Sequence, residues 1–162
     1  SSPTRTVWGG GYIKPSNHTD TVDFVVTQTF GDAVDFGNLT QSRGHMGSVS
    51  SQTRGIWYGG SIYGPDAPAY TIYNIIDYIT IASTGNATDF GDTRFANSGI
   101  HFTNAAASNS IRGVFAGGTT PSAQVDIMYV TIATTGNASD FGDLTSTKYQ
   151  GGGASDAHGG LG

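Results

Sequence analysis

The chain has 162 residues, a net charge of −5, 25 glycines and no cysteine, and is 12% charged where an ordinary domain carries about 25%. Its seven basic residues, Arg5, Lys14, Arg43, Arg54, Arg94, Arg112 and Lys148, form no stripe, which argues against nucleic-acid binding through phosphates; no apolar run approaches the ~20 residues that span a bilayer. Without cysteine there is no disulfide or thiol chemistry, and without glutamate all twelve acids are aspartate.

Length suffices for one domain with a core. Thr, Ser, Ile, Val, Tyr and Phe dominate, and no window carries a 3.6-residue apolar period, so strands and turns are expected. The first predicted strand is led by Thr4-Arg5 and stopped by Gly9-Gly10. A second passes through Phe24 and leads, 11 residues on, to Asp35-Phe36-Gly37; a small glycine-rich strand follows over 44–50. The cycle then repeats. Arg54 leads the next strand to Gly59-Gly60, a variable loop spans 61–74, and 75–81 is an alternating strand with Ile79 and Ile81 on one face and Tyr78 and Thr80 on the other. The turn Thr84-Gly85-Asn86-Ala87 suits positive φ and leads to Asp89-Phe90-Gly91-Asp92. The third cycle runs from Arg112 through Gly117-Gly118, a strand over 126–132 and Thr135-Gly136-Asn137-Ala138 to Asp140-Phe141-Gly142-Asp143. Phe24 to Asp35, Tyr78 to Asp89 and Tyr129 to Asp140 are each 11 residues, and the three aspartates are 54 and 51 residues apart. A period near 50 marks a repeat architecture of stacked supersecondary units.

The units are bounded approximately as 1–43, 44–97 and 98–148, with a lone closing strand in 149–162, the whole being one repeat domain. The tail aligns with the segment before Arg54, with His158 at the arginine position. The order is three strands, two full four-strand units and one strand. The tail is therefore expected to supply the strand that the first unit of another copy lacks, giving a ring or a filament. The opening Ser-Ser-Pro fits a processed product or a segment of a longer chain.

Several residues invite chemical readings. The pairs Asp32/Asp35, Asp89/Asp92 and Asp140/Asp143 raise calcium, which takes 6–8 oxygens; Asn86, Thr88 and a carbonyl could join them. The closing Glu of an EF-hand is missing, and structural turns with Asp capping N–H groups are the favoured reading. A kinase-type metal role for Asp-Phe-Gly lacks its Gly-rich loop and lysine. Arg5, Arg54 and Arg112 recur at one position. They are expected to span units, pairing with an Asp such as Asp35 or Asp89 and with carbonyls, rather than to bind an anionic glycan. His18, His45, His101 and His158 have no metal spacing, and no Gly-x-Ser-x-Gly elbow occurs. Neither an enzyme nor a cofactor is expected. Sequons begin at Asn17, Asn38, Asn86 and Asn137 and read as turn residues. The variable loops 12–20, 61–74 and 119–125 are the expected contact surface, with Tyr12, Tyr63, Tyr70 and Tyr73 as stacking candidates; the alternative reading is that these aromatics cover a neighbouring unit.

Gly59-Gly60, Asp77-Tyr78 and Phe90, or Gly9-Gly10, Asp23-Phe24, Phe36 and Arg43, or Gly117-Gly118, Tyr129, Phe141 and Lys148, resemble the Kelch repeat. Phe stands where that repeat has Trp, and the second unit has Asn97 at the basic position, with Arg94 three residues earlier. The run from Tyr129 to Thr145 is similar to a Kelch-like repeat common in virion proteins of tailed, especially marine, bacteriophages. The resemblance implies an all-β fold of three four-stranded Kelch-like β-propeller blades, in a ring or array completed by another copy or a longer chain. Phe36, Phe90 and Phe141 are its repeat aromatics. The copper cofactor of Kelch-type oxidases needs a cysteine that is absent. The implied role is a structural and recognition module of a virion appendage such as a tail fibre, located on the virion and binding host surface glycan through loops. The alternative is a self-assembling building block joined by strand exchange to itself or to other virion proteins, without nucleic-acid or membrane partners.

Overall fold

The computed structural model describes residues 4–13, 17–63, 71–95, 105–119 and 122–155. Among them every regular element is a strand. β1 (Arg5–Ile13), β2 (Asn17–Val26) and β3 (Val34–Asn38) form a three-stranded sheet in that order. β4 (Gly47–Ser50) and β5 (Arg54–Tyr58) open a second sheet. A separate hairpin, β6 (Ser61–Ile62) with β7 (Thr71–Ile72), follows before β8 (Ile75–Thr80) and β9 (Thr88–Asp92) complete the order β4-β5-β8-β9. The third sheet runs β10 (Ala105–Ser108), β11 (Arg112–Ala116), β12 (Gln124–Thr131), β13 (Ser139–Lys148). The four sheets are antiparallel and none closes into a barrel.

The three large sheets are copies in detail. Each has a bulge at the same place, between Val22 and Asp23, Ile76 and Asp77, and Ile127 and Met128. The extra residue is the phenylalanine of each Asp-Phe-Gly, and the glycine after it has φ of 145° at Gly37, 146° at Gly91 and 142° at Gly142. The extra residue bends the strand, and the positive φ explains why glycine recurs there.

Strand alternation sends β8 side chains to two different neighbours. Ile76 and Tyr78 join Phe115, Met128 and Ile132 in the core between the second and third sheets. Ile79 and Ile81 join Val22, Phe36 and Trp57 in the core between the first and second. The middle unit is thus covered on both faces. Among the described residues it exposes no large apolar side chain, whereas the outer units expose Trp8, Phe30 and Val34 on one side and Ile111, Phe141 and Tyr149 on the other.

The first sheet has three strands where its copies have four, as the strand order predicts. The tail differs from expectation: Gly151 to Ser155 pair in no ladder. They run against β10 instead, where Gly153 approaches the backbone of Ala106 and the Ser155 hydroxyl donates to the Ser108 carbonyl at 2.8 Å. A chain so rich in glycine has few side chains to hold a ladder without a partner sheet. Ser108 makes the same bond to the Ser50 carbonyl, also 2.8 Å. That sets Ser155 level with Ser108 and Ser50, one residue away from the alignment that puts His158 at the arginine position; His158 lies outside the described residues.

Candidate functional site

The repeated motifs build one junction, used twice. Arg5 Nη1 donates to the Ile81 carbonyl and Arg54 Nη1 to the Ile132 carbonyl, both at 2.9 Å, each reaching into the next unit. Each guanidinium also lies over an aromatic ring of its own unit: Arg5 on Phe24 at 4.8 Å, Arg54 on Tyr78 at 4.6 Å and Arg112 on Tyr129 at 5.1 Å. The sequence expectation of pairing with Asp35 or Asp89 is corrected: these aspartates accept instead from Gly37 N–H at 3.1 Å and Gly91 N–H at 3.0 Å. A short carboxylate two residues upstream reaches its own turn more readily than a neighbouring sheet.

The Gly-Asn-Ala turn of one unit clips onto the outer strand of the unit before it. Gly85 N–H donates to the Phe36 carbonyl and Ala87 N–H to the Asn38 carbonyl, both at 2.7 Å, while Asn86 Oδ1 accepts from Asn38 N–H at 3.1 Å. The next junction repeats this: Gly136 to Phe90 at 2.7 Å, Ala138 to Asp92 at 2.8 Å, and Asp92 N–H to Asn137 Oδ1 at 3.0 Å. The fit is close. A Cβ on Gly91 would stand 2.6 Å from the Gly136 carbonyl, whereas one on Gly142 would meet nothing within 4 Å. Phe36 and Phe90 are 2% and 3% exposed in these junctions, and Phe141, with no following unit among the described residues, is 53% exposed.

The first junction holds a buried ion pair. Arg43 Nη1 lies 2.9 Å from Asp77 Oδ2, both side chains being fully buried. Arg43 Nε donates to the Gly59 carbonyl at 2.9 Å, and Asp77 accepts from the Thr40 N–H at 3.1 Å and its hydroxyl at 2.7 Å. Burial pulls the Arg43 guanidinium below its ordinary pKa, and the Asp77 carboxylate opposes that shift. In the second junction Asp77 is replaced by Met128, and Arg94 forms a surface pair with Asp140 at 2.6 Å. Asp140 therefore serves an ion pair where Asp35 and Asp89 cap a turn.

Two of the four candidate tyrosines come together. Tyr12 at the end of β1 stacks on Tyr63 just after β6, with centroids 6.0 Å apart and planes 7° apart. His18 meets both rings edge-on, at 5.2 and 5.4 Å. His45, whose φ of 57° is rare for a residue with a side chain, brings Nε2 to 3.2 Å from the Tyr63 hydroxyl. Burial lowers the pKa of His18, with His45 adding to it, and burial lowers that of His45. The histidines were legible only as residues without metal spacing; their place beside the tyrosines needed the fold. Tyr73 is tied elsewhere, its N–H donating to the Gly60 carbonyl at 2.9 Å, and Tyr70 lies outside the described residues.

Where β1, β4, β10 and the tail converge, a cavity of about 390 Å³ is lined by Thr6, Ser48, Ser50, Ala107, Ser108 and Ser155 among others. Arg5 and Trp57 also line it, and no Asp, Glu or His side chain does. Among the described residues no group of three or more His, Asp or Glu side chains is placed to hold a metal, the aspartates at 89, 92, 140 and 143 included. Comparison with protein families and with curated proteins found no match.

Proposed function

We propose that the chain is a non-enzymatic structural and recognition module of a phage virion appendage, a tail fibre or similar part, that binds host surface glycan. On this reading the three sheets are Kelch-like blades of a ring or array completed by another copy or a longer chain. The resemblance of the repeat supplies the virion setting. The observation that supports recognition is the Tyr12–Tyr63 stack: two parallel rings bordered by His18 and His45, with Tyr12 44% exposed. Flat rings stack on the apolar faces of sugars, and imidazole and phenol edges can exchange hydrogen bonds with hydroxyls. Each such site is weak, and several on one appendage gain by multivalency. No cofactor is needed. The test is a glycan array probed with the wild-type chain and with Tyr12→Ala/Tyr63→Ala. Selective binding lost in the double variant supports the reading; absence of binding to any host polysaccharide, or binding that survives the double substitution, refutes it, and hydrolysis of the polysaccharide would make the protein an enzyme.

A second reading, a self-assembling building block, is supported by the three-stranded first sheet, whose copies each carry a fourth strand beyond the arginine-led one.

A further inference from the structure

The two outer faces of the repeat are the two halves of the junction just described. The leading face of the first unit carries a turn, Gly31-Asp32-Ala33, at the position of Gly85-Asn86-Ala87. The equivalence is structural: Thr27, Ile81 and Ile132 N–H groups donate to the carbonyls of Thr4, Thr53 and Ile111, four residues before each of these turns. The trailing face of the third unit carries Phe141-Gly142-Asp143, the strand edge that receives such a turn. Nothing lies within 4 Å of a Cβ built on Gly142, in contrast to its equivalents Gly37 and Gly91.

We propose that the third unit of one chain receives the first unit of a second copy through this same junction. Three side-chain matches favour a second copy over an unrelated partner. First, Trp57 packs against Gly9 at the first junction, 3.0 Å from where a Cβ would be, and Phe115 stacks on Tyr58 at the second, at 3.8 Å. The equivalent pair across the proposed contact is Trp8, 54% exposed, on Ala116, a large ring against a small residue as at the first junction. Second, the buried pair Arg43–Asp77 has its counterpart in Lys148 and Asp23. Lys148 and Arg43 are equivalent because their carbonyls accept from Gly118 N–H at 2.8 Å and Gly11 N–H at 3.0 Å. Asp23 and Asp77 are equivalent because they face Trp8 and Trp57 across their ladders. At the second junction Met128, which faces Phe115 across its ladder, stands at the position of Asp77 and Asp23. Third, Arg112 is the one repeat arginine that caps no carbonyl among the described residues, and the Thr27 carbonyl stands where those of Ile81 and Ile132 stand.

The tail fits the same docking. Ser155 sits on Ser108 as Ser108 sits on Ser50, so Gly151 to Ser155 occupy the place of a first strand for a following unit. A docked first unit would set its β1 edge beside them and gain its fourth strand. The inference rests on the building-block reading and adds which faces meet and in what register.

The experiment is sedimentation velocity of the wild-type chain, of Lys148→Glu, of Asp23→Lys and of the double charge swap. The wild type is expected to self-associate with rising concentration. Each single reversal is expected to raise the dissociation constant by about 30-fold or more, the effect of breaking a desolvated charge pair, and the double swap to recover most of it. Circular dichroism confirms that the variants fold; both residues lie outside the described cores, so the isolated chain should be unaffected. A wild type that stays monomeric overturns the building-block reading and the inference together. Association that ignores the reversals, or is not rescued by the double swap, overturns the inference alone.

Discussion

Replacing Asp77 with Asn tests whether the first junction is held by its buried charge pair. Asp77 and Arg43 are fully buried and 2.9 Å apart, and Asp77 also satisfies both Thr40 donors. Neutralising it leaves a guanidinium in the core without a counter-charge, and such single removals cost about 3–5 kcal/mol. For a chain of this size that is a fall in Tm of roughly 6–20 °C. Arg43→Met should cost a similar amount by stranding the carboxylate. Arg43→Met with Asp77→Met, which follows the neutral chemistry of the second junction, should cost less than the sum of the single changes by about 2 kcal/mol or more. Urea unfolding with a double-mutant cycle measures this. Arg94→Ala is the control: its partner Asp140 is 63% exposed, and loss of that pair should cost about 1 kcal/mol or less. A loss below about 1 kcal/mol for Asp77→Asn, or strictly additive single changes, would refute the reasoning.

Three further outcomes are expected. Gly91→Ala should destabilise the chain by about 1–3 kcal/mol more than Gly142→Ala in urea unfolding, because both strain a positive φ but only Gly91 faces a neighbouring turn. Arg54→Ala should cost about 1.5–3 kcal/mol, since it abandons the Ile132 carbonyl, while Arg112→Ala in dilute monomer should be nearly neutral. The third concerns pH. His18 and His45 have folded pKa values below their ordinary 6.5, so the unfolded chain binds protons first and stability should fall as pH drops through about 6.5, levelling below the folded values. Melting temperatures from pH 7.5 to 5 should show this decline, and His18→Gln/His45→Gln should flatten it.

Much of the fold was legible because the repeat is written into the local chemistry. The arginine-led strand, its Gly-Gly stop and the Gly-Asn turn each have a backbone reason to be where they are, and Arg54–Tyr58 begins and ends as expected. Alternation in β8 was equally readable, although that its two faces serve two different neighbours depends on stacking. The Arg43–Asp77 pair was not foreseen. Each residue was visible as a repeat position, but their contact crosses a junction and Met128 breaks the pattern one unit later, so no periodicity announces it. The Tyr12–Tyr63 stack was half legible: both rings were singled out by loop position, while their meeting depends on the β6–β7 hairpin, too short to show a period of its own. The tail was read as a strand from its likeness to the segment before Arg54, yet a strand forms only against a partner edge.

The most direct test of the account, that one junction holds the units together and, as proposed, also joins the outer faces of two copies, is residue-resolved amide hydrogen exchange across a concentration series. Gly85, Ala87, Gly136 and Ala138 should be protected at every concentration, because their N–H groups are bonded within the chain. Gly31, Ala33 and Asp143 should exchange rapidly in dilute solution and gain protection together as concentration rises. Rapid exchange of Gly85 and Gly136, or indifference of Gly31, Ala33 and Asp143 to concentration, would contradict it.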